Sequence, residues 1–388
     1  MRDLGIIENG TLLVRDGRIA WLGRAADFSM AVDATMDIID ASGRILLPGF
    51  VDSHTHLLFA GSREQEFALR TEGSTYRQIA EIGGGILSTV TSVRGTSKKD
   101  LKKLARKRLA EMMRVGTTTV EVKSGYGLDF DNEVKMLEAV NELRKEELIN
   151  VVPTLLGAHA LPIEYRDRRS QYLQLIVGQL IPYVGRKKLA EYCDVFCDEG
   201  YFTTEESEWI LQEGKKFEMR PKVHADEFTA SGGAELAGRV GAVSADHLEH
   251  VSETGIQQLA EREVVGTLLP GVSFFLGHSY APARKLIEAG VPVALATDFN
   301  PGSCMCYSMP LMMTIACTHM GMTPEEAITA STLNAAAAVS RSHELGSIEI
   351  GKRGDLILLD IPDYRFLPYH FGVNHVSKTI IQGTILEV

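Results

Sequence analysis

Short apolar or β-branched segments alternate with helix-like segments between about residues 46 and 298. Eight of them have the length and composition of buried strands. They are ILLPGFVDS, TTTVEVKSG, INVVPTLLGA, CDVFCDEG, RPKVHADE, GAVSADHLE, VVGTLLPG and VPVALATD. Eight parallel strands that alternate with helices close a barrel. The pattern therefore predicts an α/β fold, a (β/α)8 TIM-like barrel, with an open doubly wound sheet as the alternative.

The two ends of the chain show the period-two alternation of strands. GTLLVRDGRIAWLG contains two alternating runs joined by Asp16-Gly17, a strong hairpin signal, and GDLILLDIPD and KTIIQGTILEV lie near the other terminus. We expect residues 1–45 and 346–388 to build one composite β-sandwich domain around a barrel of residues 46–345. PEEAITASTLNAAAAVS, after the last barrel strand, predicts one Ala-rich helix.

Charge and composition narrow the function classes. The net charge is -11, and the dense basic run SKKDLKKLARKR has the pattern of a solvated helix face, so we expect no nucleic-acid partner. Neither an apolar segment of about 18 residues nor a signal peptide is visible, which predicts a cytoplasmic protein without a membrane partner. The odd number of cysteines indicates reduced thiols, and we interpret Cys304 and Cys306 as packing residues rather than metal ligands.

Polar residues that could bind a metal fall at the ends of four predicted strands. His54 and His56 share one face of strand one, since alternate residues point the same way. The others are His224 on strand five, His247 on strand six and Asp298 on strand eight. Active sites of such barrels lie at the carboxyl ends of the strands. Imidazoles and a carboxylate there suit Zn²⁺ or Fe²⁺, with one position left for water.

Several longer segments carry a resemblance to a known family. HTHLLFAGSREQEF, TVEVKSGYGL, LLGAHALP, HADEF and TDFNPGS, together with the order of the polar strand ends, resemble the amidohydrolase superfamily and, within it, the imidazolonepropionase family. The resemblance covers nearly the whole chain. It implies hydrolysis of the cyclic amide of 4-imidazolone-5-propanoate to N-formimino-L-glutamate, in histidine degradation, by a homodimer with one Zn or Fe ion per chain.

The resemblance also implies residue roles. The metal ligands are His54, His56, His224 and Asp298. Asp298 is the general base toward a metal-activated water, His247 stabilises the oxyanion, and Glu227 binds the ring and moves a proton. Substrate contacts are expected from Arg63, Tyr76, Tyr126, His159, Glu227, His247, Asn300, Gly302 and Ser303, with Arg63 pairing with the propanoate of this anionic imidazolone.

Some alternatives stay open. Lys123 suggests a carbamylated lysine bridging two metals, but that lysine comes from strand four in binuclear relatives, and strand four here has none. We predict one metal, with Lys123 in an ion pair with Glu121 or Asp298. The segment Gly83–Gly85 is interpreted as part of a lid rather than a phosphate loop. A nucleobase deaminase and a metal-free scaffold are the competing functions.

Overall fold

The computed structural model describes residues 1–32, 36–73, 78 and 84–387. In these ranges the strands are β1 (Gly10–Arg15), β2 (Arg18–Arg24), β3 (Ile45–Pro48), β4 (Phe50–Asp52), β5 (Thr117–Lys123), β6 (Asn150–Ala158), β7 (Tyr192–Cys197), β8 (Arg220–Ala225), β9 (Ser244–His247), β10 (Val265–Leu268), β11 (Val293–Leu295), β12 (Leu356–Leu359), β13 (Val376–Ile381) and β14 (Thr384–Glu387). The α-helices are Glu64–Thr71, Ile86–Gly95, Lys98–Arg114, Phe130–Glu146, Arg169–Leu175, Ile181–Lys187, Thr204–Lys216, Gly233–Val240, Glu253–Glu261, Pro270–Leu276, Ala283–Glu288, Met309–His319, Pro324–Ser331, Leu333–Ala338 and Phe366–Tyr369. A π-helical turn, Ile176–Leu180, joins two of these helices.

Strands β4 to β11 form one eight-stranded sheet in sequential order, and each pairs in parallel with the next. Its two edges meet just beyond the strand ends. The Asp298 N–H donates to the His54 carbonyl at 3.0 Å, and the His56 N–H donates to the Phe299 carbonyl at 3.1 Å. Each of the eight predicted segments supplies one barrel strand. The predicted barrel is therefore confirmed, and the open doubly wound sheet is wrong.

The basic run forms the predicted amphipathic helix, Lys98–Arg114. Its buried residues Leu101, Ala105, Leu109 and Met112 recur at helical spacing on the face that packs on the barrel. At the edge of this face, Lys102 forms ion pairs with Glu142 and Glu146 of the next helix at 2.7 and 2.8 Å. The positive charge of this run is thus matched by an acidic neighbour.

Strands from both termini pair outside the barrel. β3, β12, β13 and β14 form an antiparallel sheet, with β3 beside β12. β1 and β2 form the predicted hairpin, and Asp16 and Gly17 at its turn both have positive φ, 51° and 74°. Ile19 of this hairpin exchanges backbone hydrogen bonds with Gly351 and Lys352, each 2.8 Å long. The division into residues 1–45 plus 346–388 and 46–345 stays a prediction.

Two local predictions are wrong. The first segment, ILLPGFVDS, was expected to be one barrel strand, but it divides after Pro48: β3 pairs with β12, and only β4 enters the barrel. The Ala-rich segment was expected to be one helix, but it breaks at Thr332, whose φ and ψ are -127° and -89°. The Thr332 hydroxyl donates to the Ile328 carbonyl at 2.7 Å, a local bond that competes with helix propagation.

No helix within the described ranges has the combination of length and apolar character that a membrane span requires.

Candidate active site

Three histidines meet at the carboxyl ends of β4 and β8. His54 and His56 follow β4, and His224 is the next-to-last residue of β8. Nε2 of His56 and Nε2 of His224 are 3.4 Å apart. One ring nitrogen from each of the three lies within 4.8 Å of the others, and all three side chains are buried. The HxH pair therefore faces a common point together with His224.

Asp298 completes this group from the end of the last barrel strand, at a positive φ of 50°. Its Oδ1 lies 3.4 Å from Nε2 of His54 and 3.4 Å from Nε2 of His56. Its Oδ2 accepts hydrogen bonds from Asn300 Nδ2 at 2.8 Å and from Ser303 Oγ at 3.2 Å. One carboxylate oxygen is thus held by the following loop while the other faces the histidines.

The four side chains fit a divalent metal ion. Nε2 of His54 and Oδ1 of Asp298 are buried, and no described residue offers either atom a hydrogen bond. Burial lowers the pKa of His54, His56 and His224 well below the usual range, so the rings are neutral, as metal ligation requires. Burial also raises the pKa of Asp298 to about 7. A cation at this point would satisfy the unpaired atoms and offset the cost of burying the carboxylate.

His247 and Glu227 lie beside these ligands. Nε2 of His247, at the end of β9, is 3.4 Å from Oε2 of Glu227, and its ring centroid is 5.3 Å from that of His224. Burial disfavours the charged ring, but the carboxylates of Glu227 and Glu249 outweigh it and raise the pKa of His247 to about 10. Burial raises the pKa of Glu227 to about 8. The pair thus offers a hydrogen-bond donor and an acid at the rim.

His159 and Tyr126 border the ligands on another side. The His159 ring stacks on His56 with centroids 4.8 Å apart, and the Tyr126 ring centroid is 5.6 Å from that of His56. Nδ1 of His159 lies 2.9 Å from the Gly125 carbonyl, so this nitrogen carries the proton. Burial lowers the pKa of His159 to about 4. The neutral ring therefore presents Nε2 as an acceptor.

Arg63 lies over Gly302, but its guanidinium is already engaged. Its Nε and Nη2 contact Oε2 of Glu66 at 2.8 and 2.7 Å. A Cβ at position 302 would lie 2.0 Å from Nη1 of Arg63, so any other residue there would displace the guanidinium from its present position. Asn300 Oδ1 accepts the backbone N–H groups of Gly302 and Ser303, both at 2.8 Å. These residues of the last loop thus support Asp298 and make room for Arg63, and their contact with substrate stays a prediction.

Two predicted features fall partly or wholly outside the residues that the structure describes. Tyr76 lies outside them, as does Gly83 of the predicted lid segment.

Two residues that fix the loops around Glu227 and Tyr126 escaped the sequence interpretation. Asp198 accepts the Phe228 N–H at 2.7 Å and the Thr229 hydroxyl at 2.7 Å, directly after Glu227. Glu133 accepts N–H groups on both sides of Tyr126, from Gly125, Gly127 and Leu128 at 2.7 to 3.1 Å. Asp198 lies near the end of the predicted strand segment CDVFCDEG, which was a usable signal. Glu133 lies inside a helix and gave none.

Below the histidines, the barrel interior holds buried charges. Lys123 contacts Glu121 at 3.0 Å, Asp194 at 2.7 Å and Asp246 at 3.5 Å. The predicted ion pair with Glu121 is confirmed. The other partners of Lys123 are Asp194 and Asp246 rather than Asp298, the predicted alternative.

Cys304 packs against Leu269, Val272 and Ala296, while Cys306 borders this cluster, and both are free thiols. Neither belongs to a candidate metal group found in the described part of the chain. Their interpretation as packing residues is confirmed.

Comparison with known proteins gives consistent family matches. Two sequence models described as Amidohydrolase family match residues 202–386 and 37–85. Imidazolonepropionase from Geobacillus sp. (strain WCH70) is 48% identical, with 100% of this chain and 92% of that protein covered. Imidazolonepropionase from Shouchella clausii (strain KSM-K16) is 49% identical over 100% of this chain and 87% of that protein.

Among solved structures, 5-methylcytosine deaminase from Klebsiella pneumoniae is similar in fold, with a TM-score of 0.75, 18% identity and coverage of 98% of this chain and 95% of that one. At this identity the likeness supports the fold alone. The full-length sequence matches are much closer. The chain therefore belongs to the imidazolonepropionase family of amidohydrolases.

Proposed function

We propose that the chain hydrolyses 4-imidazolone-5-propanoate to N-formimino-L-glutamate, using one divalent Zn or Fe ion held by His54, His56, His224 and Asp298. One observation carries the proposal: unpaired Nε2 of His54 and Oδ1 of Asp298 converge with two further imidazoles in a buried site. When bound, a divalent ion lowers the pKa of water to about 7 and polarises a carbonyl.

The surrounding side chains have complementary roles in this reaction. Asp298 accepts the proton of the attacking water, while Asn300 and Ser303 hold its carboxylate in place through Oδ2. His247 donates a hydrogen bond to the oxygen that gains negative charge as the ring carbonyl is attacked. Glu227, 3.4 Å from His247, delivers a proton to the ring nitrogen that leaves as the C–N bond breaks.

Recognition of the substrate's carboxylate is assigned to Arg63. Glu66 occupies the Nε and Nη2 edge of the guanidinium, and Nη1 lies over Gly302. We therefore place the propanoate against Nη1 rather than across the full fork. His159 and Tyr126 flank the ring, with His159 accepting through Nε2. A deaminase of a neutral base is the alternative, and it would have no use for Arg63.

The test follows the ultraviolet absorbance of imidazolone propanoate with metal-loaded and chelated protein. We expect chelation to abolish turnover and added metal to restore it. Arg63→Ala should raise KM by about tenfold to 100-fold, the cost of losing a charge-assisted hydrogen bond of about 1.5 to 3 kcal/mol. Arg239→Ala is the matched control, since Arg239 is half-exposed and pairs with Glu208 on the surface. Turnover of a neutral base with no turnover of the imidazolone would contradict the proposal.

A cytoplasmic location, a homodimer and the absence of nucleic-acid and membrane partners stay predictions from the sequence.

A further inference from the structure

Two of the three imidazoles are contacted from below by buried carboxylates. Nδ1 of His54 lies 2.6 Å from Oδ2 of Asp246, a hydrogen bond. Nδ1 of His224 lies 3.0 Å from Oδ2 of Asp194, a contact whose angle falls short of a hydrogen bond. Nδ1 of His56 is buried and has no hydrogen-bond partner among the described residues. The three imidazoles are therefore supported unequally.

One lysine connects the two carboxylates. Nζ of Lys123 lies 2.7 Å from Oδ2 of Asp194 and 3.5 Å from Oδ2 of Asp246, the same oxygens that face the two histidines. Lys222 supports this group from the next layer, 3.0 Å from Glu121 and 3.8 Å from Asp246. All five charged side chains are at most 1% exposed, so water does not compete for their contacts.

Carboxylates placed in this way can fix the orientation of the histidine rings as well as neutralise charge. A carboxylate on Nδ1 of an imidazole keeps the proton on that nitrogen, fixes the ring and leaves the Nε2 lone pair for a metal. A counter-charge fixed beside two buried carboxylates offsets much of the cost of burying them. Lys123 supplies that charge to both.

We propose that Asp246 and Asp194 are positioning residues for His54 and His224, and that Lys123 joins them into one unit that aims two imidazoles at the metal. The proposal rests on the proposed function, because it concerns the same metal site. It assigns Asp246 the larger effect, since its contact with the histidine is shorter and better aligned.

The experiment measures Zn²⁺ affinity of the full chain by competition with a chromophoric chelator, and the visible spectrum of the Co²⁺-loaded protein, at one fixed pH. Asp246→Asn should weaken Zn²⁺ binding by about 10- to 100-fold and shift the Co²⁺ absorption bands. Asp194→Asn should have a smaller effect. In the double variant, Zn²⁺ binding should weaken by less than the product of the two single fold-changes, because both carboxylates share Lys123.

Glu326→Gln is the matched control. Glu326 is also buried and ion-paired, at 2.9 Å from Arg284, but it lies in a helix outside the barrel interior. This variant should melt at a lower temperature with unchanged Zn²⁺ affinity. Ser244→Ala covers the case in which Asp246→Asn does not fold, because it removes only the 2.6 Å hydrogen bond to Oδ1 of Asp246. It should weaken Zn²⁺ binding about twofold to tenfold.

The outcomes separate this inference from the proposed function. Folded Asp246→Asn, or Ser244→Ala in its place, with the Zn²⁺ affinity and Co²⁺ spectrum of the unmodified chain would overturn the inference and leave the metal site intact. If the unmodified chain fails to bind about one Zn²⁺ ion per chain, both this inference and the proposed function are overturned.

Discussion

The barrel interior and β12 of the terminal sheet are both buried but opposite in chemistry. In the terminal sheet, all four residues of β12, LILL, are buried and apolar. In the barrel, buried positions at the same depth hold ions, among them Glu121, Lys123 and Asp246. Well-packed apolar residues can replace a buried ion network without loss of stability. We infer that the sheet stabilises the fold, whereas the ionic layer holds the active-site side chains in orientation. The ionic layer consists of Glu121, Lys123, Asp194, Lys222 and Asp246.

The largest effect on activity is expected from Asp298→Asn at the rim of the barrel. The amide cannot accept the proton of the attacking water, so kcat for imidazolone propanoate should fall by about 10²- to 10⁴-fold. The same ultraviolet assay measures it. A variant that retains a tenth or more of kcat would exclude Asp298 as the base.

Asp298→Asn should also change the stability of the metal-free protein, in a direction set by the pKa of Asp298. Because burial raises the pKa of Asp298 from 3.8 to about 7, the metal-free protein loses stability as pH rises through this interval. Above pH 7, metal-free Asp298→Asn should therefore melt no lower than the metal-free unmodified chain. A lower melting temperature for the variant would show that the charged carboxylate stabilises the fold.

The smallest effect on activity is expected in the terminal sheet. Ile357→Ala removes a fully buried side chain from β12 and should lower the free energy of unfolding by about 2 to 5 kcal/mol. It should leave kcat/KM unchanged. Ile350→Ala, at a position that is 66% exposed, is the control and should change neither quantity. Loss of kcat/KM in folded Ile357→Ala would break the separation between the two regions.

The sequence predicted the eight strands and the rim residues for physical reasons. Strand periodicity and length are local, and the carboxyl ends of barrel strands form one rim wherever they lie in the chain. His54 and Asp298 could thus be placed together although 244 positions separate them.

The ionic layer could not be predicted in the same way. Every residue of β5 is buried, so the alternation that separates an inner from an outer face disappears there. The ion pair of Lys123 with Glu121, two residues before it, was predicted, but nothing local shows that Lys123 also reaches Asp194 and Asp246, which come from other strands. The pairing of Arg63 with Glu66 depends on the helix that begins between them, and the sequence interpretation left the whole guanidinium free for substrate.

The most direct test of the central claim is anomalous X-ray scattering at the Zn or Fe edge from crystals of active, metal-loaded protein. The account predicts one peak per chain, about 2.0 to 2.2 Å from Nε2 of His54, His56 and His224 and from one oxygen of Asp298. A peak at any other place, or active crystals without a peak at this site, would contradict it.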